Sequence, residues 1–163
     1  MQREKYDIAM IPFIDKEGVN MLKKIPKILP PDLVKYMMEM GHSDYIVIAD
    51  AGFPGAAHAK RIVRMDSVEI PELLEAILPF YPLDYFVGDS VRLMEKLPHE
   101  PEVTIWETYK KLLEQYDTDK AFKEFVYLER LKFYEEAEKA YAVIQTGDTS
   151  RYGNIILQKG VCA

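Results

Sequence analysis

The sequence has very little cysteine and no cluster of metal-binding side chains. Cys162 is the single cysteine among 163 residues, so an internal disulfide is impossible and nothing points to an oxidising compartment. The three histidines, His42, His58 and His99, are far apart and form no His-Glu-x-x-His pattern, so we expect no metal site. The elbow of a serine nucleophile is missing as well. Because the phosphate loop and the Gly-x-Gly-x-x-Gly turn are also missing, we expect no cofactor.

The chain also has neither a long hydrophobic run nor a basic tract. No apolar stretch approaches the roughly 20 residues that a membrane span needs. The formal net charge is -6, which argues against nucleic acid as a partner, because phosphate binding needs a basic face. Residues 1–20 carry scattered acids and no small-residue cleavage site, so we predict no secretory signal and a cytoplasmic protein.

Length and composition fit one domain, since 48% of the residues are hydrophobic and 29% are charged. We interpret residues 1–20 as an N-terminal extension and residues 21–163 as a single domain. Strand patterns alternate with helix patterns, which is typical of an α/β layered sheet. Helices are predicted from Pro31 to Gly41, between Pro71 and Pro79, and over residues 103–116 and 130–139. Strands are predicted over residues 8–14, 45–49, 62–65, 85–87, 91–94, 125–128, 140–145 and 152–158.

A histidine and an acid flank the strand predicted over residues 45–49. His42 lies in the turn before it and Asp50 follows it, so the strand separates them by roughly 16 Å. Histidine can give or take a proton near neutral pH, which makes His42 the natural acid or base. If both residues serve one site, either the turn folds His42 back or a neighbouring subunit supplies one of them. The alternatives are a solvated histidine after a helix and a simple turn acid or helix cap.

Other polar residues are predicted at the ends of strands. Tyr152 and Asn154 flank Gly153, so in a strand they point to one face, and the glycine allows a ligand to come close. Arg130 begins a helix and, taken alone, is more often the ion-pair partner of a neighbouring glutamate. These residue types suit proton transfer on a polyhydroxylated ligand, or binding without chemistry.

Five segments together resemble the L-fucose mutarotase and D-ribose pyranase family, most closely its fucose branch. Residues 39–44 read Glu-Met-Gly-His-Ser-Asp, residues 48–54 read Ile-Ala-Asp-Ala-Gly-Phe-Pro, and residues 133–135 read Phe-Tyr-Glu. Residues 21–31 and 146–161 complete the likeness, the latter through Tyr-Gly-Asn-Ile-Ile-Leu-Gln-Lys-Gly-Val. The resemblance therefore runs from residue 21 nearly to the end, with its motifs in order.

This resemblance implies a three-layer α/β/α fold with a mixed central sheet, assembled into ring-shaped homo-oligomers, commonly decamers, with each site at a subunit boundary. It implies an isomerase that interconverts the α and β anomers of L-fucose or a related aldose, with His42 as the proton donor. The residues implied to bind the monosaccharide are Asp50, Arg130, Tyr152, Gly153 and Asn154. The chain departs from the family at Leu131, where an aromatic residue is usual, and at Glu136, where an arginine is usual.

Two other functions fit the same residues. A ribose-type pyranase would exchange pyranose and furanose forms with the same machinery. A sugar-binding transport accessory would use His42 only as a hydrogen-bonding group.

Overall fold

The computed structural model of the chain describes residues 21–162. Five helices and six strands lie within that range, and each strand that the sequence predicts over residues 45–49, 62–65 and 91–94 is confirmed at both ends. The helices are α1 (Pro31–Glu39), α2 (Gly55–His58), α3 (Ile70–Ile77), α4 (Ile105–Tyr116) and α5 (Arg130–Lys139). The strands are β1 (Tyr45–Ala49), β2 (Ile62–Met65), β3 (Val91–Met94), β4 (Val126–Leu128), β5 (Ala142–Thr146) and β6 (Ile155–Gln158).

The strands form a single mixed sheet in the order β2-β5-β1-β6-β3-β4. Strand β6 runs antiparallel to both of its neighbours, β1 and β3, whereas the β1–β5, β2–β5 and β3–β4 pairs are parallel. Five strands therefore point the same way and β6 alone is reversed. We call the end at which those five strands begin the amino end of the sheet, and the opposite end its carboxyl end.

Helices cover both faces of this sheet, which confirms the predicted three-layer α/β/α fold. On one face the apolar residues of α1, α3 and α4 pack in a core with Ile46 and Ile144 of the sheet. On the other face Phe133 and Ala137 of α5 pack against Val47, with Phe53 from the loop after β1. The central strands are consequently buried on both sides, which explains the nearly continuous apolar sequences of β1 and β5. Within residues 21–162, no helix has the length and apolarity to cross a membrane.

Gly41 does not end α1 in the predicted left-handed conformation. The helix stops at Glu39, Met40 is extended with φ -65° and ψ 134°, and no glycine among the described residues has positive φ. Ser43 takes the left-handed conformation instead, with φ 71°. The left-handed residue therefore lies within the turn after His42.

One predicted strand is absent and another is shorter than predicted. Residues 85–87 form an irregular loop before β3 instead of a strand, with Phe86 exposed. Strand β6 begins at Ile155, and Tyr152 lies in a turn with φ 57°. The alternation argument for Tyr152 and Asn154 therefore does not apply, because neither residue belongs to the strand. The strand predicted over residues 8–14 lies outside the described residues.

Candidate active site

The loops carrying His42 and Asp84 are both attached to the end of β6 at the amino end of the sheet. The backbone N–H of Ser43 donates to the carbonyl of Lys159 at 2.9 Å, and that of Asp84 donates to the carbonyl of Gln158 at 3.1 Å. These bonds bring together two loops that are 42 residues apart in sequence. As a result, His42 Nε2 lies 3.1 Å from Asp84 Oδ2.

Asp84 is a fully buried carboxylate with three hydrogen-bond donors. The amide Nε2 of Gln158 donates to Oδ2 at 3.0 Å, and the backbone N–H of Phe86 donates to Oδ1 at 3.0 Å. Burial raises the pKa of this carboxyl, but the hydrogen bonds from Gln158, Phe86 and His42 outweigh burial and hold the pKa below its usual value. Asp84 is therefore ionised at neutral pH and acts only as an acceptor.

An ionised Asp84 fixes the tautomer of His42. Since a carboxylate cannot donate, the proton in the 3.1 Å contact belongs to His42 Nε2. In the neutral imidazole the lone pair is then on Nδ1, so that atom is the one able to take a proton from a ligand. The His42 side chain is 42% exposed. The pair thus combines a buried orienting acid with an accessible base.

Two exposed aromatic rings stand beside His42. The ring of Phe86 lies 5.4 Å from the imidazole, and the ring of Tyr85 lies 4.4 Å from that of Phe86. Phe86 is 65% exposed, although the burial of such a ring stabilises a protein or a complex. The loop that carries Tyr85 and Phe86 therefore presents an apolar surface beside His42.

A line of polar side chains continues from Asp84 across the end of the sheet. Arg92 donates from Nη2 to Gln158 Oε1 at 3.0 Å and from Nη1 to Glu136 Oε2 at 3.4 Å. Tyr45 donates its hydroxyl to the same Glu136 oxygen at 2.9 Å, and its ring lies 4.6 Å from the Arg92 guanidinium carbon. Glu136, where an arginine is usual in the resembled family, therefore balances a buried arginine from β3.

Tyr45 is poorly suited to move a proton in this site. Burial raises the pKa of Tyr45, and the hydrogen bond to the Glu136 carboxylate and the negative charge of that group raise it further. The phenol therefore stays protonated and donates to Glu136.

The other predicted site residues lie at the carboxyl end of the sheet. The Asp50 side chain receives the backbone N–H of Gly52 on Oδ1 at 3.0 Å and that of Gly153 on Oδ2 at 3.2 Å. Asn154 Oδ1 in turn accepts the backbone N–H of Asp50 at 2.8 Å. Asp50 is 8% exposed, and it both closes the turn that follows it, as a turn acid does, and holds the loop before β6.

Burial raises the pKa of the Asp50 carboxyl, and the backbone N–H groups of Gly52 and Gly153 only partly offset that effect. Asn154 is buried, and its Oδ1 is occupied by Asp50. No described residue accepts a hydrogen bond from its Nδ2. That amide donor is the group through which Asn154 can orient a ligand.

Tyr152 and Arg130 are also placed at this end. The carbonyl of Tyr152 accepts the Nε1–H of Trp106 at 2.9 Å, so Trp106 anchors the loop. Arg130 is exposed at the first turn of α5, and its guanidinium carbon lies 6.0 Å from the ring centre of Tyr134. Among the described residues Arg130 has no carboxylate partner, so the expected surface ion pair is absent there.

A cavity of about 420 Å³ also opens at the carboxyl end, beside the loop rich in small residues that follows β1. Ala51, Phe53 and Gly55 line one side, and Gln145 and Gly147 line the other. None of the predicted site residues lines it. His58 is half-buried near this loop, its Nδ1 lies 2.9 Å from Glu138 Oε1, and its ring stacks on Tyr134.

The structure thus divides the predicted site into two groups. Asp50 and Arg130 follow the carboxyl ends of β1 and β4, and residues 152–154 precede the reversed β6, so these residues share one end of the sheet. His42 precedes β1 and lies at the opposite end. Strand β1 keeps the two groups roughly 16 Å apart within one chain. A single chain therefore does not bring His42 to the other predicted residues.

Sequence reasoning missed Asp84, Arg92 and Gln158. The available signal was a carboxylate inside an otherwise apolar run, Tyr-Pro-Leu-Asp-Tyr-Phe, because a buried acid requires a partner. The same signal exists for Arg92, which lies within the apolar strand β3. Nothing in the sequence indicated that the two would meet through Gln158.

Comparisons with known proteins agree with this architecture. The family described as the RbsD / FucU transport protein family matches residues 23–162. A fucose mutarotase of Danio rerio is 44% identical over 147 residues, covering 86% of this chain and 94% of the relative. The crystal structure of the fucose mutarotase of Streptococcus pneumoniae in complex with L-fucose superposes with a TM-score of 0.82 at 48% identity, covering 87% of this chain and 100% of that chain.

A second solved structure is more distant. Bacillus subtilis RbsD complexed with D-ribose has a TM-score of 0.61 at 26% identity, with 83% of this chain and 95% of that chain covered.

Proposed function

Because the chain belongs to the RbsD / FucU transport protein family, we propose that it is an isomerase that interconverts the α and β anomers of L-fucose. The observation that carries this proposal is the His42–Asp84 pair, in which a buried carboxylate orients a partly exposed imidazole. Anomer exchange needs proton transfers and no cofactor, and this pair supplies one proton-transfer group.

The reaction opens and recloses the sugar ring. A base removes the proton of the anomeric hydroxyl, the bond between the anomeric carbon and the ring oxygen breaks, and an acid protonates the ring oxygen. The free aldehyde then rotates and closes on its other face. We assign one of these transfers to His42 Nδ1, since Nε2 is held by Asp84 at 3.1 Å. A positioned proton transfer contributes about 10² to 10⁴ in rate.

The sugar site is proposed to form between two protomers. The amino end of one sheet would present His42, and the carboxyl end of a neighbouring sheet would present Arg130, Tyr152 and Asn154. This arrangement follows from the positions of the two groups at opposite ends of β1. The exposed ring of Phe86 beside His42 supports it, because a neighbour or a bound sugar would cover that ring.

Within that site the binding residues have distinct tasks. Arg130 donates to sugar hydroxyls through a guanidinium that no described residue occupies, and Asn154 donates through Nδ2. Gly153 and Asp50 maintain the loop, with Asp50 holding the backbone at 3.2 Å and its remaining lone pairs directed to the sugar. Tyr152 borders the pocket, half-buried on its left-handed turn.

We further propose a ring-shaped homo-oligomer, commonly a decamer in this family, and a cytoplasmic location. The ring supplies each protomer with the neighbour that the divided site requires. The free and exposed Cys162 suits a compartment in which thiols stay reduced.

Saturation-transfer NMR on the anomeric protons of L-fucose and D-ribose tests the proposal. We expect the protein to accelerate exchange between the α and β signals of L-fucose, and more strongly than exchange between ribose forms. The stronger likeness to the fucose-bound structure than to the ribose-bound one supports that order. Faster ribose exchange would favour the pyranase function, and binding with an unchanged exchange rate would favour a non-catalytic sugar-binding protein.

Asp84→Asn is expected to slow fucose exchange by about 10- to 100-fold, by analogy with the carboxylates that orient metal-bound histidines. If the new amide nitrogen replaces Oδ2, it faces both the His42 and the Gln158 donors, and if it replaces Oδ1, it faces the Phe86 N–H, so at least one hydrogen bond is lost. Exchange rates of both proteins across pH 5–9 measure the effect. An unchanged rate in a folded variant would remove Asp84 from the mechanism.

The same substitution changes stability at acid pH. Because the pKa of Asp84 is lower in the folded protein, its ionised form stabilises the fold above about pH 4, the range of an unperturbed Asp, and that stabilisation is lost as pH falls toward the folded pKa. Urea unfolding between pH 3 and pH 6 should therefore show a shallower acid loss in Asp84→Asn than in the wild type. Parallel curves would contradict the lowered pKa.

A further inference from the structure

We propose that Gln158, oriented by the buried Arg92, is a positioning residue that holds Asp84 against His42. This inference rests on the isomerase function proposed above and assigns a role to two side chains that do not touch the sugar. Gln158 ends β6 and lies opposite Tyr45 of β1 in the sheet. It therefore stands between the catalytic pair and the polar residues further along the amino end.

The orientation of the Gln158 amide follows from the chemistry of arginine. A guanidinium has donors only, so the group that meets Arg92 Nη2 at 3.0 Å must be the amide oxygen. The amide nitrogen then faces Asp84 Oδ2, 3.0 Å away, and donates to it. Arg92 thus determines which position of the Gln158 amide holds the oxygen and which holds the nitrogen.

Contacts on two sides hold the Arg92 guanidinium, although no described residue accepts from its buried Nε–H. Its side chain is 8% exposed, and a buried guanidinium requires compensation. Glu136 supplies a carboxylate at 3.4 Å and Tyr45 supplies a ring face at 4.6 Å. With the guanidinium fixed by these groups and by the β3 backbone, Arg92 cannot readily rotate away from Gln158.

Asp84 is consequently held by donors of different kinds. Phe86 N–H fixes Oδ1 through the local backbone, whereas Oδ2 is shared by the amide of Gln158 and the imidazole of His42. Without the Gln158 donor, the Oδ2 side of the carboxylate would depend on the partly exposed histidine alone. The amide therefore keeps the carboxylate in line with His42 Nε2.

The ionisable groups around Asp84 and Gln158 determine how a new charge at residue 158 would affect Asp84. Those that face Asp84 and Gln158 directly are His42 and Arg92, and behind Arg92 lie Glu136 and Tyr45. On the flanking backbone, the N–H of Lys159, the residue after Gln158, donates to the carbonyl of Asp44 at 2.7 Å. Glu136 also pairs with Lys139 at 3.0 Å and with Lys132 at 3.7 Å, so a new carboxylate at residue 158 would be attracted by Arg92 on one side and repelled by Asp84 on the other.

Gln158→Glu is the decisive variant because it preserves shape and the acceptor for Arg92 but replaces the donor to Asp84. Two carboxylates about 3 Å apart cannot both ionise without repulsion, so one proton is held between them at low pH. We expect near wild-type fucose exchange where that proton is present. Where it has dissociated, kcat should fall about 10-fold with KM unchanged, giving an extra step in the pH–rate profile.

Gln158→Leu removes both hydrogen bonds, so its loss of kcat should be similar in size but without the extra ionisation. Gln115→Glu is the matched control, because it makes the same charge change at an exposed position of α4. Its kcat, KM and pH profile should match those of the wild type. A Gln158→Glu profile identical to that of the wild type in rate and shape would overturn the proposal.

A readout without substrate separates this inference from the proposed function. In protein labelled with ¹⁵N-histidine, long-range ¹H–¹⁵N spectra distinguish the Nε2–H and Nδ1–H tautomers, and His42→Ala identifies the signal. We expect His42 to be mainly the Nε2–H form in the wild type and in Gln115→Glu, and a mixture in Gln158→Leu. The same tautomer in all three would contradict the positioning role, whether or not the wild type accelerates fucose exchange.

Discussion

Replacing His42 by alanine is expected to slow L-fucose anomer exchange by about 10² to 10⁴-fold, the range of a positioned general acid or base. The imidazole is the accessible member of the pair, 42% exposed, with Asp84 completely buried behind it. Its removal leaves Asp84 without that hydrogen bond but does not disturb the backbone bonds that attach the loop to β6. The rate should therefore fall without a comparable loss of stability.

His99→Ala is the matched control for this experiment. His99 is exposed in a turn after β3, and no described hydrogen bond joins its side chain to Arg130, Tyr152 or Asn154 at the same end of the sheet. Its exchange rate should stay within about twofold of the wild type, since surface substitutions usually have small effects. Saturation-transfer NMR at one protomer concentration measures all three proteins. Equal loss in both variants, or no loss in His42→Ala, would contradict the assignment of the proton transfer.

The second large effect is a loss of stability in the apolar layer between α5 and the sheet. Phe133→Ala is expected to cost about 3–5 kcal/mol of unfolding free energy, as is typical when a buried phenylalanine is truncated. Phe133 is fully buried, packs with Val47 and Ile156 of the central strands, and lies 6.0 Å from the ring of Phe53. The cavity that remains cannot close easily, because the sheet and the neighbouring ring are fixed by their own packing.

Leu131→Ala on the same helix provides the control, because Leu131 is 58% exposed. Its unfolding free energy should change by no more than about 0.5 kcal/mol. Urea unfolding at a fixed protomer concentration keeps the contribution of assembly comparable among the variants. A loss below about 1 kcal/mol for Phe133→Ala would mean that α5 is not held to the sheet as described.

Local sequence patterns were sufficient for most of the fold. The apolar run of β1 and the bounds of α5, residues 130–139, follow from patterns a few residues long. The irregular loop at residues 85–87 was mistaken for a strand because Tyr85 and Phe86 favour strands. Their aromatic side chains are exposed beside His42, and the local strand propensity does not determine the backbone conformation of this loop.

The sequence predicted individual residues of the site but not the contacts among them. The short segment around His42 and Asp50 identified both residues, and the strand between them correctly indicated a separation. Asp84 was missed because its contact with His42 depends on how two loops 42 residues apart attach to β6. The reversed direction of β6 is a property of the whole sheet, and no local pattern specifies it.

The most direct test of the account is the crystal structure of the assembled protein with L-fucose. We predict that His42 Nδ1 lies about 2.6–3.2 Å from the anomeric hydroxyl or the ring oxygen of the sugar. Arg130, Tyr152 and Asn154 should surround the same sugar from a neighbouring protomer. A sugar bound at the carboxyl end with every His42 ring remote from it would contradict the proposed proton transfer.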